Sequence, residues 1–149
     1  PAMQRIAGLF VSEGSPLVTV TSRSGSTTAL DSIGTPLDTQ RPLVILTSSA
    51  TASSAEMLTE ALRQLGRATV VGTTTAGCVN GGYLVGLLDG SGVMVSTQRV
   101  LVGRGRVALE GIGIAPDINC SRTQDDLVAG RDPQLDEALA ALNRPLPNP

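Results

Sequence analysis

Apolar positions in the middle of the chain predict a strand, a helix and a second strand in succession. Residues 43–46, LVIL, form a short run with branched side chains, which is typical of a buried strand. Apolar side chains then recur at helical spacing over residues 57–65, and Gly66 is suited to end that helix because glycine adopts the left-handed conformation without steric cost. Residues 69–72 predict the second buried strand. A parallel crossover of this kind places the first turn at the carboxyl edge of the sheet, where α/β proteins usually keep their chemistry.

The N-terminal segment predicts a helix, a strand and a polar connection. Apolar residues at helical spacing over residues 3–10 predict the helix, and Gly14 is placed to end it. Residues 17–21 predict a strand. Residues 22–40 are rich in Ser, Thr and Gly, which indicates a polar hairpin or loop.

The C-terminal half predicts a hairpin and a final helix. Apolar runs over residues 83–88 and 93–102 flank Asp89 and the glycine after it, a pair that favours a tight turn. Alternation of apolar and polar residues along the second run is typical of a strand with one solvated face. Asp132 and Pro133 predict the N-cap and the first residue of the final helix.

Ser53, at the end of the polar turn, has two interpretations. As a structural residue it forms an S-x-x-E capping box with Glu56, in which each side chain satisfies a free amide at the start of the helix. As a functional residue it is a nucleophile exposed at the tip of a sharp strand-to-helix turn, where the helix N-terminus favours a developing oxyanion. The two roles are compatible, since a cap uses the serine oxygen only when substrate is absent.

Six segments in order resemble the motifs of the carboxyl-terminal processing (tail-specific) serine proteases. They are SSATASSAE at residues 48–56, ALRQLGRA at 61–68, VVGTTTAG at 70–77, LDGS at 88–91, GIGIAPD at 111–117, and DPQL at 132–135 followed by Ala138 and Leu139. Each motif alone is weak evidence. Their common order over most of the chain makes the resemblance specific.

The resemblance implies a fold, an activity and a place for each site residue. The fold is α/β, a strand–helix–strand sheet core like that of the ClpP and crotonase proteins, with an added β-hairpin. The activity is that of a serine endopeptidase that cleaves polypeptide substrates near their carboxyl termini. Ser53 is then the nucleophile, and the backbone amide of Ser54 donates to the oxyanion. Residues 1–143 are expected to be part of the catalytic domain, whose glycine-rich loop and any PDZ domain lie before residue 1, and residues 144–149 a frayed tail. The family's usual location is outside the cytoplasm of a bacterium.

Two positions depart from the family pattern. Where the family places its general-base lysine this chain has Cys78, and where the family places an aspartate it has Gln64. All 11 basic residues are arginine, and the chain contains no histidine and no lysine. Arginine stays protonated in proteins, so it cannot act as the base. The base is therefore expected from the region before residue 1, and the 149-residue chain alone is expected to be catalytically silent.

Two other function classes remain open. A peptide-binding pseudoprotease would keep the fold and lack the base, which Cys78 and Gln64 favour. An acyl-CoA enzyme is the third class, because the family core resembles that of the crotonases; the serine and GIAPD motifs favour the protease instead.

Composition narrows the possible partners. The net charge is −2 with no basic cluster, which indicates no nucleic-acid partner. No apolar run approaches the length of a membrane span, and no motif indicates a metal or another cofactor. Two cysteines, Cys78 and Cys120, permit one disulfide or two free thiols. Three arginines in the second half, Arg99, Arg104 and Arg106, are either solvated or available to a peptide carboxylate. The sequence leaves the oligomeric state open.

Overall fold

A computed structural model of the protein describes residues 1–143. The helices in this range are α1 (Ala2–Ala7), α2 (Ser54–Gln64), α3 (Gln124–Val128) and α4 (Pro133–Leu142). The strands are β1 (Pro16–Ser22), β2 (Thr27–Asp31), β3 (Val44–Thr47), β4 (Thr69–Gly72), β5 (Gly82–Gly86), β6 (Gly92–Ser96), β7 (Gln98–Val102) and β8 (Ile118–Asn119). The chain is therefore mixed α/β, as the sequence predicts. The short elements α3 and β8 have no counterpart in the sequence prediction.

The predicted strand–helix–strand unit is confirmed as β3, α2 and β4. β3 and β4 are parallel, with Val44 opposite Thr69 and Thr47 opposite Gly72, and β4 also pairs with β8 in parallel. α2 ends at Gln64, and Gly66 follows with a φ of 68°. Within residues 1–143, β3 pairs only with β4, so its other edge bonds to no strand there.

A second sheet is antiparallel and has the order β2-β1-β7. β1 and β2 form a hairpin, which confirms one of the two structures expected for the polar segment. α2 lies against β1, β4 and β7, while α4 packs on β3 and β4. The core between these elements is aliphatic, since its fully buried large side chains include Leu17, Leu62 and Ile114.

The predicted hairpin forms, but two of its details are wrong. β5 and β6 pair with each other alone within the described chain, and both faces of this two-stranded sheet are exposed. Met94 is 67% exposed and its neighbour Val93 is 47% exposed, so no face of the hairpin is buried as the alternating pattern predicts. The second predicted strand also divides at Thr97, because β7 leaves the hairpin to pair with β1.

The first helix is shorter than the spacing predicts. It ends at Ala7, and the chain continues through turns instead of remaining helical toward Gly14. The reason is a close approach between two backbone segments. A Cβ on Gly8 would lie 2.1 Å from the carbonyl oxygen of Ile33, whose own amide donates to the Gln4 carbonyl at 3.0 Å. A contact distant in sequence therefore decides this boundary.

The final helix is confirmed with its cap. Asp132 is the N-cap of α4, and its carboxylate accepts a hydrogen bond from the Leu135 amide at 3.0 Å. The predicted frayed tail, residues 144–149, lies outside the described residues. None of the helices within residues 1–143 combines the length and the apolar character that crossing a bilayer requires.

Candidate active site

Ser53 occupies the turn between β3 and α2 in an unusual backbone conformation. It is exposed, and its φ of 58° and ψ of −127° lie in a region that side chains other than glycine rarely adopt. Such a conformation costs roughly 1–3 kcal/mol and persists only where surrounding contacts impose it. A strained turn between a strand and a helix is the geometry that exposes a serine nucleophile in α/β hydrolases.

Of the two hydrogen bonds that make up the capping box of Ser53 and Glu56, one is well formed and the other is weak. The Glu56 carboxylate accepts a hydrogen bond from the Ser53 amide at 3.1 Å. The reciprocal approach of the Glu56 amide to the Ser53 hydroxyl is present, but it falls short of a side-chain cap hydrogen bond. The strong half of the capping box therefore uses the serine backbone, and the exposed hydroxyl is not committed to a capping bond.

Glu56 is fully buried and binds four donors from two segments of the chain. One carboxylate oxygen accepts from the Thr75 hydroxyl and from the Gly77 amide, the latter at 2.7 Å. The other accepts from the amides of Ser53 and Cys78, at 3.1 and 2.9 Å. Burial by itself raises the pKa of Glu56, but these hydrogen bonds outweigh it and hold the pKa below the usual value of 4.5. Glu56 is thus an anion that fastens the nucleophile turn to the loop after β4.

Further backbone bonds join the same two segments. The Ser53 amide also approaches the Cys78 carbonyl at 2.9 Å, and the Ala76 amide donates to the Thr51 carbonyl at 2.9 Å. The Thr75 hydroxyl accepts from the Ile114 amide at 2.8 Å, which brings in the GIGIAPD segment. Three motifs distant in sequence therefore meet behind Ser53.

Two glycines of these motifs allow the segments to approach each other closely. Gly77 has a φ of 68°, and a Cβ there would lie 2.7 Å from the amide nitrogen of Gly113. Gly113 has a φ of 75°, and a Cβ there would lie 2.4 Å from the carbonyl oxygen of Thr75. Any side chain at either position would push the segments apart.

Cys78 and Ser54 both lie beside Ser53. The Cys78 backbone bonds to Ser53 and to Glu56, and its thiol is free and exposed. Cys120 is half-buried and also free, so the two cysteines do not form a disulfide. The Ser54 amide begins α2, and no acceptor bonds to it among residues 1–143. It is therefore available to a ligand.

Gln64 does not join this group. It is the last residue of α2, and an 11-residue helix places it roughly 15 Å from Ser53. Its side-chain nitrogen donates to Glu60 at 2.8 Å, and its side-chain oxygen accepts from the Gly105 amide at 2.8 Å. Gln64 thus holds the glycine-rich strap after β7 against α2, a structural role.

The carboxylates of α2 and of the segment that bonds to residues 79 and 80 are already bound to donors or to a cation. Glu56 is saturated by donors and has a lowered pKa. Glu60 is buried and forms an ion pair with Arg63 at 2.6 Å. Glu110 accepts the amides of Val79 and Asn80, at 2.9 and 2.7 Å. Each carboxylate is already engaged in holding the structure together.

Sequence reasoning found Ser53 and the helix behind it but missed the second role of Glu56. The S-x-x-E spacing predicts a cap for its own helix. Nothing in the spacing shows that the same carboxylate also binds residues 75–78, because that contact depends on how β4 pairs with β3.

A profile of peptidase family S41 matches residues 1–120 of this chain. The chain is similar to carboxyl-terminal-processing peptidase 3 of Arabidopsis thaliana, a chloroplastic protein, with 33% identity over 78% of this chain and 22% of that protein. It is also similar to the chloroplastic C-terminal processing peptidase of Tetradesmus obliquus, with 34% identity over 79% of this chain and 25% of that protein. The chain therefore spans about a quarter of the length of these relatives.

Solved structures agree with the sequence matches. The photosystem II D1 C-terminal processing protease aligns with a TM-score of 0.68 and 32% identity, over 81% of this chain and 31% of that chain. A putative peptidase from Parabacteroides merdae aligns with a TM-score of 0.77 over 95% of this chain and 47% of that chain. Its identity is 24%, so this second match shows the fold alone.

Proposed function

The chain belongs to peptidase family S41, and we propose that Ser53 is the nucleophile of a serine endopeptidase that cleaves polypeptides near their carboxyl termini. The observation that carries the proposal is the backbone of Ser53. An N-cap residue normally has an extended backbone without strain. The strained backbone of Ser53 therefore costs free energy that a capping role alone does not require. A strained, exposed serine at the start of a helix is the arrangement that a nucleophile needs.

In the reaction, the Ser53 hydroxyl oxygen attacks the scissile carbonyl carbon and gives its proton to a base. Negative charge develops on the carbonyl oxygen of the substrate. The Ser54 amide donates a hydrogen bond to that oxygen, and the N-terminus of α2 adds a favourable dipole. Loss of one such donor in other serine proteases lowers the rate by roughly two to three powers of ten.

The base comes from outside these 149 residues. The chain has neither histidine nor lysine, and the carboxylates near Ser53 are bound to donors or cations. The open edge of β3 supports the same conclusion, because a half-buried strand with one unpaired edge is a place where a further strand adds. The proposal thus includes a larger catalytic domain with a ClpP/crotonase-like sheet. A backbone amide of its glycine-rich loop is the second donor to the oxyanion, beside the Ser54 amide.

Location and partners belong to the same proposal. We place the protein outside the cytoplasm of a bacterium, with unfolded or extended polypeptides as substrates. Family membership supports the polypeptide substrates, and the chloroplastic processing peptidases support a compartment outside the cytoplasm, while the bacterial source stays a prediction. The specific observation that favours the alternative, a peptide-binding pseudoprotease, is the absence of lysine and histidine from the sequence. The acyl-CoA class has no comparable support.

A fluorophosphonate probe separates these possibilities in the natural protein that contains this chain. The unchanged protein should be labelled and Ser53→Ala should not. Ser54→Ala is the matched control, because it removes a neighbouring hydroxyl and keeps the oxyanion amide. Cleavage of casein should fall by roughly four to six powers of ten in Ser53→Ala and by less than about tenfold in Ser54→Ala. Equal labelling of all three proteins would remove Ser53 from the mechanism.

A separate test concerns the 149 residues alone, which should not cleave casein. Cleavage that Ser53→Ala abolishes would show that a base lies within the chain. Labelling failure in the natural protein, with its fold intact, would favour the pseudoprotease.

A further inference from the structure

An open cleft of about 480 Å³ lies beside the loop that follows Cys78. It is lined by residues 21–23 at the end of β1, by Asn80, and by residues 96–99 between β6 and β7. None of these eight residues is acidic, and two of them, Arg23 and Arg99, are arginines. The residues that line the cleft are therefore polar or positively charged.

The end of β1 brings the two arginines close together. Thr21 is directly opposite Arg99 in the antiparallel pairing of β1 and β7. Arg23 lies in the turn just after β1, and its amide donates to the carbonyl of Thr97, two residues before Arg99. Among residues 1–143, neither guanidinium bonds to an acceptor or pairs with a carboxylate. Two like charges close together are unfavourable unless an anion lies between them.

The floor of the cleft is held in place by backbone bonds. The Arg23 amide donates to the Thr97 carbonyl at 3.1 Å, and the amides of Thr97 and Gln98 both donate to the Gly81 carbonyl at 3.0 Å. The side-chain oxygen of Asn80 accepts from the Val100 amide at 2.9 Å, which leaves its NH₂ group as a donor. The position of the two arginines is thus set by a rigid ladder.

Thr97 lines the cleft, but its hydroxyl oxygen is buried and has no hydrogen-bond partner in the described part of the chain. A buried hydroxyl without a partner costs roughly 1–3 kcal/mol. Because this oxygen is closed to a ligand in the cleft, the candidate donors there are the two guanidinium groups and the Asn80 side chain.

The cleft adjoins the nucleophile. The Cys78 carbonyl accepts a hydrogen bond from the Ser53 amide at 2.9 Å, and Asn80, in the cleft wall, is only two residues further along the chain. Two residues of chain span at most roughly 7 Å. The cleft wall at Asn80 therefore begins within two residues of the segment that bonds to Ser53.

We propose that Arg23 and Arg99 bind a carboxylate of the polypeptide substrate in this cleft, and so select an acidic side chain or the terminal carboxylate close to the cleaved bond. The inference rests on the proposed function and adds substrate selection to it. Guanidinium groups form charge-assisted, often bidentate hydrogen bonds with carboxylates, and the Asn80 amide group adds a further donor for a carboxylate oxygen.

Peptide binding by the Ser53→Ala form of the natural protein tests this without cleavage. Three labelled decapeptides of Ala, Ser and Leu serve as probes. One has an internal Glu and an amidated end, one has Gln in its place with a free carboxylate end, and one has Gln with an amidated end. The dissociation constant, measured by fluorescence anisotropy, should be at least about tenfold lower for one acidic peptide than for the neutral one. The tighter acidic peptide identifies the source of the carboxylate.

Arginine variants connect the preference to the cleft. Arg23→Gln with Arg99→Gln should abolish the preference, and binding of the neutral peptide should change less than about twofold. Arg104→Gln is the matched control, because it removes one exposed arginine at the far end of β7. Equal binding of the three peptides, or a preference that survives the double change, would overturn the inference.

The outcome is independent of the catalytic test. An acid preference in a protein that no fluorophosphonate labels would support the cleft and refute the nucleophile. Labelling and cleavage by a protein that shows no preference for acidic peptides would support Ser53 as the nucleophile and refute carboxylate binding in the cleft.

Discussion

Replacement of Glu56 by glutamine gives the sharpest test of how the nucleophile turn is held. The carboxylate is fully buried and accepts four hydrogen bonds, two at each oxygen. Glutamine keeps one acceptor oxygen and replaces the other by an NH₂ group. Two donors then face a donor instead of an acceptor. Each lost bond to a charged group costs about 1.5–3 kcal/mol, so the two lost bonds in Glu56→Gln should destabilise this region by about 3–6 kcal/mol.

Glu110→Gln is the matched control. Glu110 is exposed and holds the same loop through the amides of Val79 and Asn80, but both bonds go to a single oxygen. The glutamine carbonyl keeps both, so the expected loss is about 1 kcal/mol or less.

The assay is hydrogen exchange of the loop amides in the natural protein, read by mass spectrometry. Protection of the Gly77 and Cys78 amides should fall by about two to four powers of ten in Glu56→Gln, since about 1.4 kcal/mol corresponds to tenfold. It should fall by less than about tenfold in Glu110→Gln. Similar losses in the two variants would refute the tethering role of Glu56.

The effect should also depend on pH in one direction. The pKa of Glu56 in the folded protein is below its usual 4.5, so its ionised form stabilises the fold. This contribution is fully present above pH 4.5 and is lost as the pH falls through the lower, folded-state pKa. The difference in loop-amide protection between the unchanged protein and Glu56→Gln should therefore become smaller below pH 4.5. A difference that grows on acidification would contradict the reasoning.

Three further predictions concern single residues. Cys78→Ala should leave the activity of the natural protein within about tenfold, because an ordinary thiol is mostly protonated at neutral pH and makes a poor base; a loss as deep as that of Ser53→Ala would assign the thiol a catalytic role. Thr75→Val should lower the free energy of unfolding by about 2 kcal/mol in urea denaturation, since the buried hydroxyl bonds to Glu56 and accepts a backbone amide. An unchanged midpoint would show that the hydroxyl contributes nothing. Hydrogen bonds from the Thr123 side chain and amide, with the Arg131 guanidinium, lower the pKa of Asp126 to about 2. A carboxyl titration by NMR should show this midpoint, and one near 3.8 would rule out the cap.

Sequence patterns correctly predicted the helices and strands whose bounds are set by residues within or next to them. The run of branched residues specified β3, the helical spacing with Gly66 specified α2, and the Asp132-Pro133 pair specified the start of α4. In each case the signal lies within a few residues of the element, so no distant contact was needed to read it. The order of the motifs along the chain likewise indicated the family, because that order is a property of the sequence itself.

Tertiary contacts decided the rest. The first helix ends at Ala7 because the Ile33 backbone approaches Gly8, and the long second strand divides because β7 pairs with β1. Spacing along one segment contains no information about which other segment lies against it.

The candidate site shows the same division. The sequence by itself determined that Ser53 stands at a strand-to-helix turn and that no lysine or histidine accompanies it. Only the tertiary structure decided the strained backbone of Ser53, the four donors around Glu56 and the approach of Arg23, in the turn after β1, to the segment that carries Arg99. Those features arise where parallel and antiparallel pairings bring distant residues together, and the free energy of such contacts belongs to the assembled fold.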